Sequence, residues 1–150
     1  MKIDPFKILP PESKNKILLV DDCDTIVKVW QRYLEHQPEF RDFEFIKASN
    51  GYEAKEIYKQ CSNEIALIIT GLIMPRMSGM ELIDWIRKID NKLPILVIAG
   101  SGGKPYFKLY KGNPKIITLT KSTDLEVMAK NARKLLKNCS GSEQSGQVWY

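Results

Sequence analysis

Two adjacent carboxylates, Asp21 and Asp22, follow the apolar run KILLV at residues 16–20. Neighbouring acids at the end of a buried strand are costly unless a cation compensates their charge. Mg²⁺ suits such a place, because it binds one or two carboxylates together with water and phosphate oxygens. Lys121, which follows another apolar run, could balance the same charge or hold a phosphoryl oxygen. The residues leave two interpretations open, a metal site or a structural ion pair between Lys121 and the acidic pair.

Five short apolar runs would position these side chains, namely KILLV (16–20), FEFIKA (43–48), ALIIT (66–70), PILVIA (94–99) and KIITLT (115–120). Amphipathic segments with helical periodicity lie between them. Three of the runs are almost entirely apolar, as expected for strands that are buried on both faces of a parallel sheet. The alternation predicts an α/β fold, a doubly wound five-stranded parallel sheet with helices on both faces. The fourth connection has Gly and Pro at both ends and predicts only one or two helical turns.

The carboxyl ends of parallel strands share one edge of the sheet, where ligands bind in folds of this kind. Besides the acidic pair and Lys121, this edge would carry Gly71 and Ala99, at the ends of the third and fourth strands. No nucleophile with a neighbouring base is found there, which argues against an enzyme with its own substrate. A flavodoxin would need a phosphate loop rich in Gly and hydroxyls after the first strand, where this chain has the acidic sequence DDCDT.

The chain has 150 residues, of which 43% are hydrophobic and 27% charged, and this predicts one globular domain. Three cysteines without metal-ligand spacing indicate free thiols. No apolar run approaches the roughly 20 residues that cross a bilayer, and no signal peptide is recognised, so the expected location is cytoplasmic. The predicted division is an N-terminal arm (1–15), a domain (16–138) and a flexible tail or the start of a linker (139–150).

Four motifs occur in order at compatible spacing, namely ILLVDD (17–22), GLIMPRMSG (71–79), PILVIAG (94–100) and LTKS (119–122). With them, the chain resembles the response-regulator receiver domain, the CheY-like family of two-component signalling, over residues 16–137. The resemblance implies a flavodoxin-like (βα)5 fold with strand order 2-1-3-4-5. It also implies a role in phosphorelay signal transduction.

The resemblance assigns roles to the residues at the predicted edge. The acidic pair that helps to hold Mg²⁺ in receivers matches Asp21 and Asp22, and the family's characteristic lysine matches Lys121. The main-chain carbonyl that completes the metal site would be that of Ile73.

The chain also departs from the family pattern. The phosphoacceptor aspartate corresponds to Gly71, so the nucleophile that would form an acyl phosphate is lost, and a metal ligand with it. The Ser or Thr and the aromatic residue that respond to phosphorylation in receivers correspond to Ala99 and Thr118. Mg²⁺ binding by the acidic pair is therefore expected to be weak or vestigial, and no other cofactor is predicted.

In receivers, the face formed by the fourth helix, the fifth strand and the fifth helix is the usual surface for partner binding and dimerisation. Here that face is predicted to carry aromatic and basic residues, namely Tyr106, Phe107, Tyr110, Lys130 and Arg133. The expected partner is a histidine kinase or another signalling protein, or a second copy of the chain. No membrane contact is expected. Nucleic acid could bind such a surface, but no recognition motif supports it.

These features predict a pseudo-receiver, a receiver-like signalling domain that binds a protein partner without aspartyl phosphorylation. One alternative is a conventional phosphorylatable receiver, in which Gly71 is an introduced substitution or another residue accepts the phosphoryl group. A second alternative is an anion- or nucleic-acid-binding module on the same fold, with the glycine-rich sequence AGSGGKP (99–105) cradling the anion.

Overall fold

The computed structural model describes the backbone of residues 14–145 and the side chains of residues 14–137. Five parallel strands form one sheet in the order β2-β1-β3-β4-β5. They are β1 (Lys16–Val20), β2 (Glu44–Ala48), β3 (Ile65–Thr70), β4 (Ile95–Ala99) and β5 (Ile116–Thr120). The α/β fold and the strand order implied by the resemblance are confirmed.

Helices cover both faces of this sheet. In the described part of the chain the α-helices are α1 (Asp24–Glu35), α2 (Gly51–Cys61), α3 (Gly79–Arg87) and α4 (Leu125–Ser145). Side chains of α2 and α3 pack in one apolar cluster, and those of α1 and α4 pack in a second cluster on the other face. The central strand β3 is consequently buried along its whole length, which explains its continuous apolar sequence.

Side-chain caps fix where α2 and α3 begin. Before α3, the Glu81 backbone N–H donates to the Ser78 hydroxyl at 3.1 Å, and the Ser78 backbone N–H donates to the Glu81 carboxylate at 2.9 Å. Before α2, the Asn50 side-chain oxygen accepts a hydrogen bond from the Glu53 backbone N–H at 2.9 Å. Such caps satisfy backbone donors that the first helical turn leaves unpaired. They hold both helix starts beside the loop that follows β3.

That loop makes close backbone contacts at two glycines. The Gly79 N–H donates to the Leu72 carbonyl, and the Gly51 N–H donates to the Met77 carbonyl, both at 2.8 Å. A Cβ atom on Gly79 would collide with the carbonyl oxygen of Gly71, and one on Gly51 would lie 2.6 Å from the Met77 carbonyl oxygen. Because the opposing atoms belong to the backbone, a side chain at either glycine would require the loop to move.

The fourth connection is a 3-10 helix, Lys104–Tyr110, rather than an α-helix. Three residues per turn place Phe107 and Tyr110 on one side and Tyr106 and Leu109 on the other. Tyr110 is only 8% exposed and belongs to the apolar cluster of α2 and α3, against which Phe107 packs half-buried. Tyr106 and Leu109 are 41% and 62% exposed. The burial of Tyr110 contradicts its predicted place on an interaction surface.

The ends of the chain differ from the predicted division. Helix α4 continues to Ser145, so the predicted boundary at 138 falls within a helix and the tail predicted from 139 begins as its continuation. Of the predicted arm, residues 1–13 lie outside the described residues, as do residues 146–150 of the tail. The described helices include none whose length and apolar character would suit a membrane span.

The contact at Gly79 predicts that replacing this glycine by alanine lowers the stability of the domain more than the same replacement at Gly102. Gly79→Ala should lower the free energy of unfolding by about 1–3 kcal/mol, because the methyl group would press on the Gly71 carbonyl. Gly102→Ala is the matched control, since a Cβ there meets nothing within 4 Å, and it should change stability by less than about 1 kcal/mol. Urea denaturation measures both. Equal effects of the two substitutions would contradict the close contact.

The position of Tyr110 predicts a loss of stability in alkaline solution. Burial, and to a lesser extent the Asp84 carboxylate, raise the pKa of Tyr110 to about 12, against about 10 for an exposed tyrosine. Because the folded-state pKa is the higher one, the stabilisation is complete below about pH 10 and is lost as pH rises towards 12. Burial also raises the pKa of Tyr58, so spectrophotometric titration should show more than one late ionisation, and Tyr110→Phe should remove the last one, at about pH 12. The exposed Tyr106→Phe should keep it, and loss of the late step in both variants would contradict the assignment.

Candidate functional site

Backbone hydrogen bonds hold the strand ends in register at the predicted edge. Just beyond β1, the Asp21 N–H donates to the Ala48 carbonyl at 3.2 Å. Just beyond β3, the Gly71 N–H donates to the Val20 carbonyl at 2.9 Å, and beyond β5 the Lys121 N–H donates to the carbonyl of Ala99 at 2.9 Å. The sheet pairing thus continues one residue past the strands. It fixes the backbone from which the candidate side chains project.

Asp21 is the buried acid of this edge. Its side chain is 0% exposed, and its Oδ2 accepts a hydrogen bond from the Cys23 backbone N–H at 2.9 Å. Its Oδ1 lies 3.0 Å from Nζ of Lys121, whose side chain is 30% exposed. Oδ1 accepts no well-directed hydrogen bond, so the contact with Lys121 is an ion pair held mainly by charge. The ion pair that the sequence allowed is present for Asp21, while Asp22 is exposed and takes no part in this pair.

Gly71 faces the same carboxylate. A Cβ atom at position 71 would overlap Oδ1 of Asp21 and would lie 3.7 Å from the carbonyl oxygen of Ile98. The Gly71 carbonyl accepts a hydrogen bond from the buried Thr70 hydroxyl at 2.8 Å. The space in front of Gly71 is therefore occupied by the Asp21 carboxylate. A side chain at this position would require that carboxylate to rotate.

The rim of the edge is shaped by the loop between β3 and α3. Met74 is buried there, whereas the Ile73 side chain is exposed. Arg76 has a positive φ of 70° and places its guanidinium over the Tyr52 ring of α2, 4.8 Å from the ring centroid. A positive φ is unfavourable for a residue with a side chain, so the contact with Tyr52 and the Gly51–Met77 hydrogen bond help to hold this conformation.

The acids near this edge do not fit the Mg²⁺ site that the resemblance implies. A cleft beside β1 and β2 is lined by Asp21, Asp22, Asp24 and Glu53 among others. Yet in the described part of the chain no three His, Cys, Asp or Glu side chains are grouped so as to hold a metal ion. Gly71 contributes no carboxylate, and the lysine ammonium already lies against Oδ1 of Asp21. Of the implied ligands, the Asp22 carboxylate and the Ile73 carbonyl remain, and a second free carboxylate is lacking.

The two predicted switch positions lie close to this edge without the family's functional groups. Ala99 is buried at the end of β4 and has no hydroxyl. Thr118 lies on β5, half-buried, and pairs with Val97 of β4. Strand β5 is an edge strand, so Thr118 is near the surface where an aromatic side chain would have room to move. The structure thus brings Asp21, Gly71 and Lys121 together, with Ala99 and Thr118 beside them.

The predicted interaction surface is only partly exposed. Tyr106 and Lys130 are exposed, but Tyr110 belongs to the core. A guanidinium nitrogen of Arg133 lies 3.6 Å from the carboxylate of Glu39, in the connection that follows α1. The charge of Arg133 is therefore paired with Glu39. Sequence reasoning missed Leu109, the most exposed large apolar side chain of the described residues. A period of three residues, applied to 104–110, would have grouped it with Tyr106.

Comparison with known proteins agrees with this geometry. A family model described as "Response regulator receiver domain" matches residues 17–133. The transcriptional regulatory protein SrrA of Staphylococcus aureus (strain NCTC 8325 / PS 47) is 35% identical over 88 residues. The match covers 59% of this chain and 34% of SrrA, so the chain spans about a third of that relative's length.

Solved receiver structures have the same fold. A response regulator receiver protein from Pseudomonas putida is 26% identical with a TM-score of 0.64, and the match covers 81% of this chain and 97% of that one. A two component transcriptional regulator AraC from Clostridium phytofermentans ISDg has a TM-score of 0.74 at 21% identity, over 87% and 98% of the two chains, and it shows the fold alone. With the family match extending over most of its length and the strand order confirmed, the chain belongs to the response-regulator receiver domain family of two-component systems.

Proposed function

We propose that this receiver domain is a protein-interaction module that works without aspartyl phosphorylation. The observation that carries the proposal is Gly71, which stands where receivers have the phosphoacceptor aspartate. Formation of an acyl phosphate requires a carboxylate nucleophile in line with the donor phosphorus. Glycine has no side chain to supply it. The Asp21 carboxylate, which fills the space in front of Gly71, is tied to Lys121 and to the Cys23 backbone.

The groups that would respond to a phosphoryl group are missing as well, which supports the same proposal. Ala99 has no hydroxyl to follow the phosphoryl oxygen, and Thr118 replaces the aromatic residue of the family. An isolated substitution at position 71 would account for only one of these three departures. The three together favour a domain whose partner recognition is set by its resting conformation.

The main alternative is a conventional receiver in which another residue accepts the phosphoryl group. Thr70 is the nearest hydroxyl along the chain, but it is buried and donates its proton to the Gly71 carbonyl. Attack by this oxygen would require that hydrogen bond to break and the side chain to turn out of the core. This arrangement supports the proposal against a substitute acceptor at Thr70.

The partner surface that we propose is the exposed side of the 3-10 helix Lys104–Tyr110 together with the exposed lysines of α4, which lie on either side of the edge strand β5. Residues 104–115 contain four lysines and no acidic residue. Tyr106 and Leu109 provide exposed apolar area among these charges, and Lys130 and Lys134 of α4 are exposed too. A basic surface with an apolar centre suits a protein partner whose own surface has acidic groups around an apolar area. Like charges disfavour a homodimer in which two such surfaces face each other.

The proposed function predicts that small-molecule phosphodonors leave the protein unmodified. Incubation with acetyl phosphate and Mg²⁺ should produce no phosphoryl adduct in the intact mass, because no carboxylate nucleophile is available at position 71. A receiver with an acceptor aspartate, treated in parallel, should gain a base-labile adduct and shows that the reagents are active. A base-labile adduct on this chain would favour the conventional alternative, and peptide mapping would identify the acceptor.

The partner surface predicts where a partner can be crosslinked. A photoreactive amino acid at Leu109, introduced in the cells from which the chain comes, should yield a crosslinked product with another signalling protein. Replacing Lys104, Lys108 and Lys111 by Glu should abolish the product, because the partner's acidic groups would then be repelled. The same probe at Val29, exposed on α1, is the matched control and should yield none.

Two results would contradict this surface. Equal crosslinking from Leu109 and Val29 would place the partner elsewhere, and a product insensitive to the lysine substitutions would remove the role of charge. A crosslink between two copies of the chain would favour the homodimer instead.

A further inference from the structure

We propose that the ammonium group of Lys121 is the resident cation of this edge, so that the buried carboxylate of Asp21 is neutralised from within the chain and the edge does not recruit a divalent metal. Nζ of Lys121 lies 3.0 Å from Oδ1 of Asp21, the buried oxygen that points towards Gly71. Lys121 is held there by its own backbone hydrogen bond to Ala99. The inference goes beyond the proposed function, because it concerns the cation of the site and not the partner.

The remaining acids of the cleft are already engaged, which leaves few ligands for a metal. Asp24 is paired with Lys28 of the same helix at 3.0 Å. The Glu53 carboxylate accepts a hydrogen bond from the Ser49 backbone N–H at 2.8 Å, which lowers its pKa, and so it stays ionised as part of the α2 start. Asp22, Asp24 and Glu53 are all exposed, and of these three Asp22 is the one without such a contact among the described residues. One exposed carboxylate is a poor Mg²⁺ site, because this ion gives up its water reluctantly.

A tethered ammonium has an advantage over a free ion at Asp21. Its local concentration is set by the chain rather than by the solution, so a divalent ion would have to displace it from the buried oxygen. Strands β3 and β4 lie between the strands that carry Asp21 and Lys121. The residues at their ends are small, Gly71 just after β3 and Ala99 as the last residue of β4. The ammonium therefore competes with any divalent ion for Oδ1 of Asp21.

Removing the ammonium should convert this edge into a weak metal site, which a Mn²⁺ titration can detect. Free Mn²⁺ is measured by its paramagnetic resonance signal, and stability by thermal unfolding. The wild-type protein should show no saturable Mn²⁺ binding at low millimolar metal and no shift in Tm. Lys121→Met should lower Tm by roughly 5–10 °C, because the buried Asp21 charge loses its partner. It should bind Mn²⁺ at least about tenfold more tightly than the wild type and regain Tm as it binds.

Lys16→Met is the matched control. Lys16 forms ion pairs with Glu44 at 3.0 Å and Glu64 at 2.9 Å, so its loss removes the same charge and also breaks ion pairs. Both of its acidic partners are well exposed, at 61% and 46%. Water can therefore solvate them, and this variant should gain no Mn²⁺ binding.

Asp21→Asn combined with Lys121→Met should unfold at a higher temperature than Lys121→Met alone, because the buried charge is gone, and should bind no Mn²⁺. If Lys121→Met does not fold, Lys121→Gln takes its place in the titration. Saturable Mn²⁺ binding by the wild type, or no gain in affinity on removal of the ammonium, would overturn the inference. Neither result depends on phosphorylation, so the proposed function is tested separately.

Discussion

The carboxylate of Asp21 is the constraint on which this edge of the domain depends. A charge that is fully removed from water must be matched by an opposite charge or by hydrogen bonds. Here the Cys23 backbone supplies one hydrogen bond and Lys121 supplies the charge. Because Asp21 follows β1 and Lys121 follows β5, the ion pair joins strands that are separated by β3 and β4. The hydrogen bonds of the sheet hold Asp21 and Lys121 close together, and their ion pair in turn holds the ends of β1 and β5 in place.

Close backbone packing sets the second constraint, on the loop that follows β3. The carbonyl of Gly71 lies so near Gly79 that no side chain fits there, and Gly51 of α2 abuts the Met77 carbonyl in the same way. The caps at Ser78 and Asn50 then fix the two helix starts against this loop. These contacts within the chain hold the conformation of the loop.

The strands and their order could be predicted from sequence, because continuous apolar runs and the order of the motifs are strong signals. The nearness of Lys121 to Asp21 could also be predicted, since both follow strands of one parallel sheet, but the sequence left open whether they form an ion pair or part of a metal site. The orientation of residues 104–110 was not, because all three aromatics were predicted on the surface, whereas the three-residue period of the 3-10 helix turns Tyr110 and Phe107 towards the core. The ion pair of Arg133 with Glu39 is a tertiary contact that a sequence does not show. The length of α4 beyond 138 was missed because its Ser- and Gly-rich sequence is of a kind that usually ends a helix.

The acid and the lysine of a receiver motif can thus remain interdependent in a domain that lacks the nucleophile. Removal of Lys121 alone would leave a buried carboxylate uncompensated, and removal of the Asp21 charge alone would leave the lysine without its partner. Either single change costs stability, whatever the domain does with phosphate. The ion pair gives Asp21 and Lys121 a role in folding, so their presence by itself does not distinguish a phosphorylated receiver from the proposed one. Gly71, whose Cβ position faces Oδ1 of Asp21, is the residue at which the proposed loss of phosphoryl chemistry has to be tested.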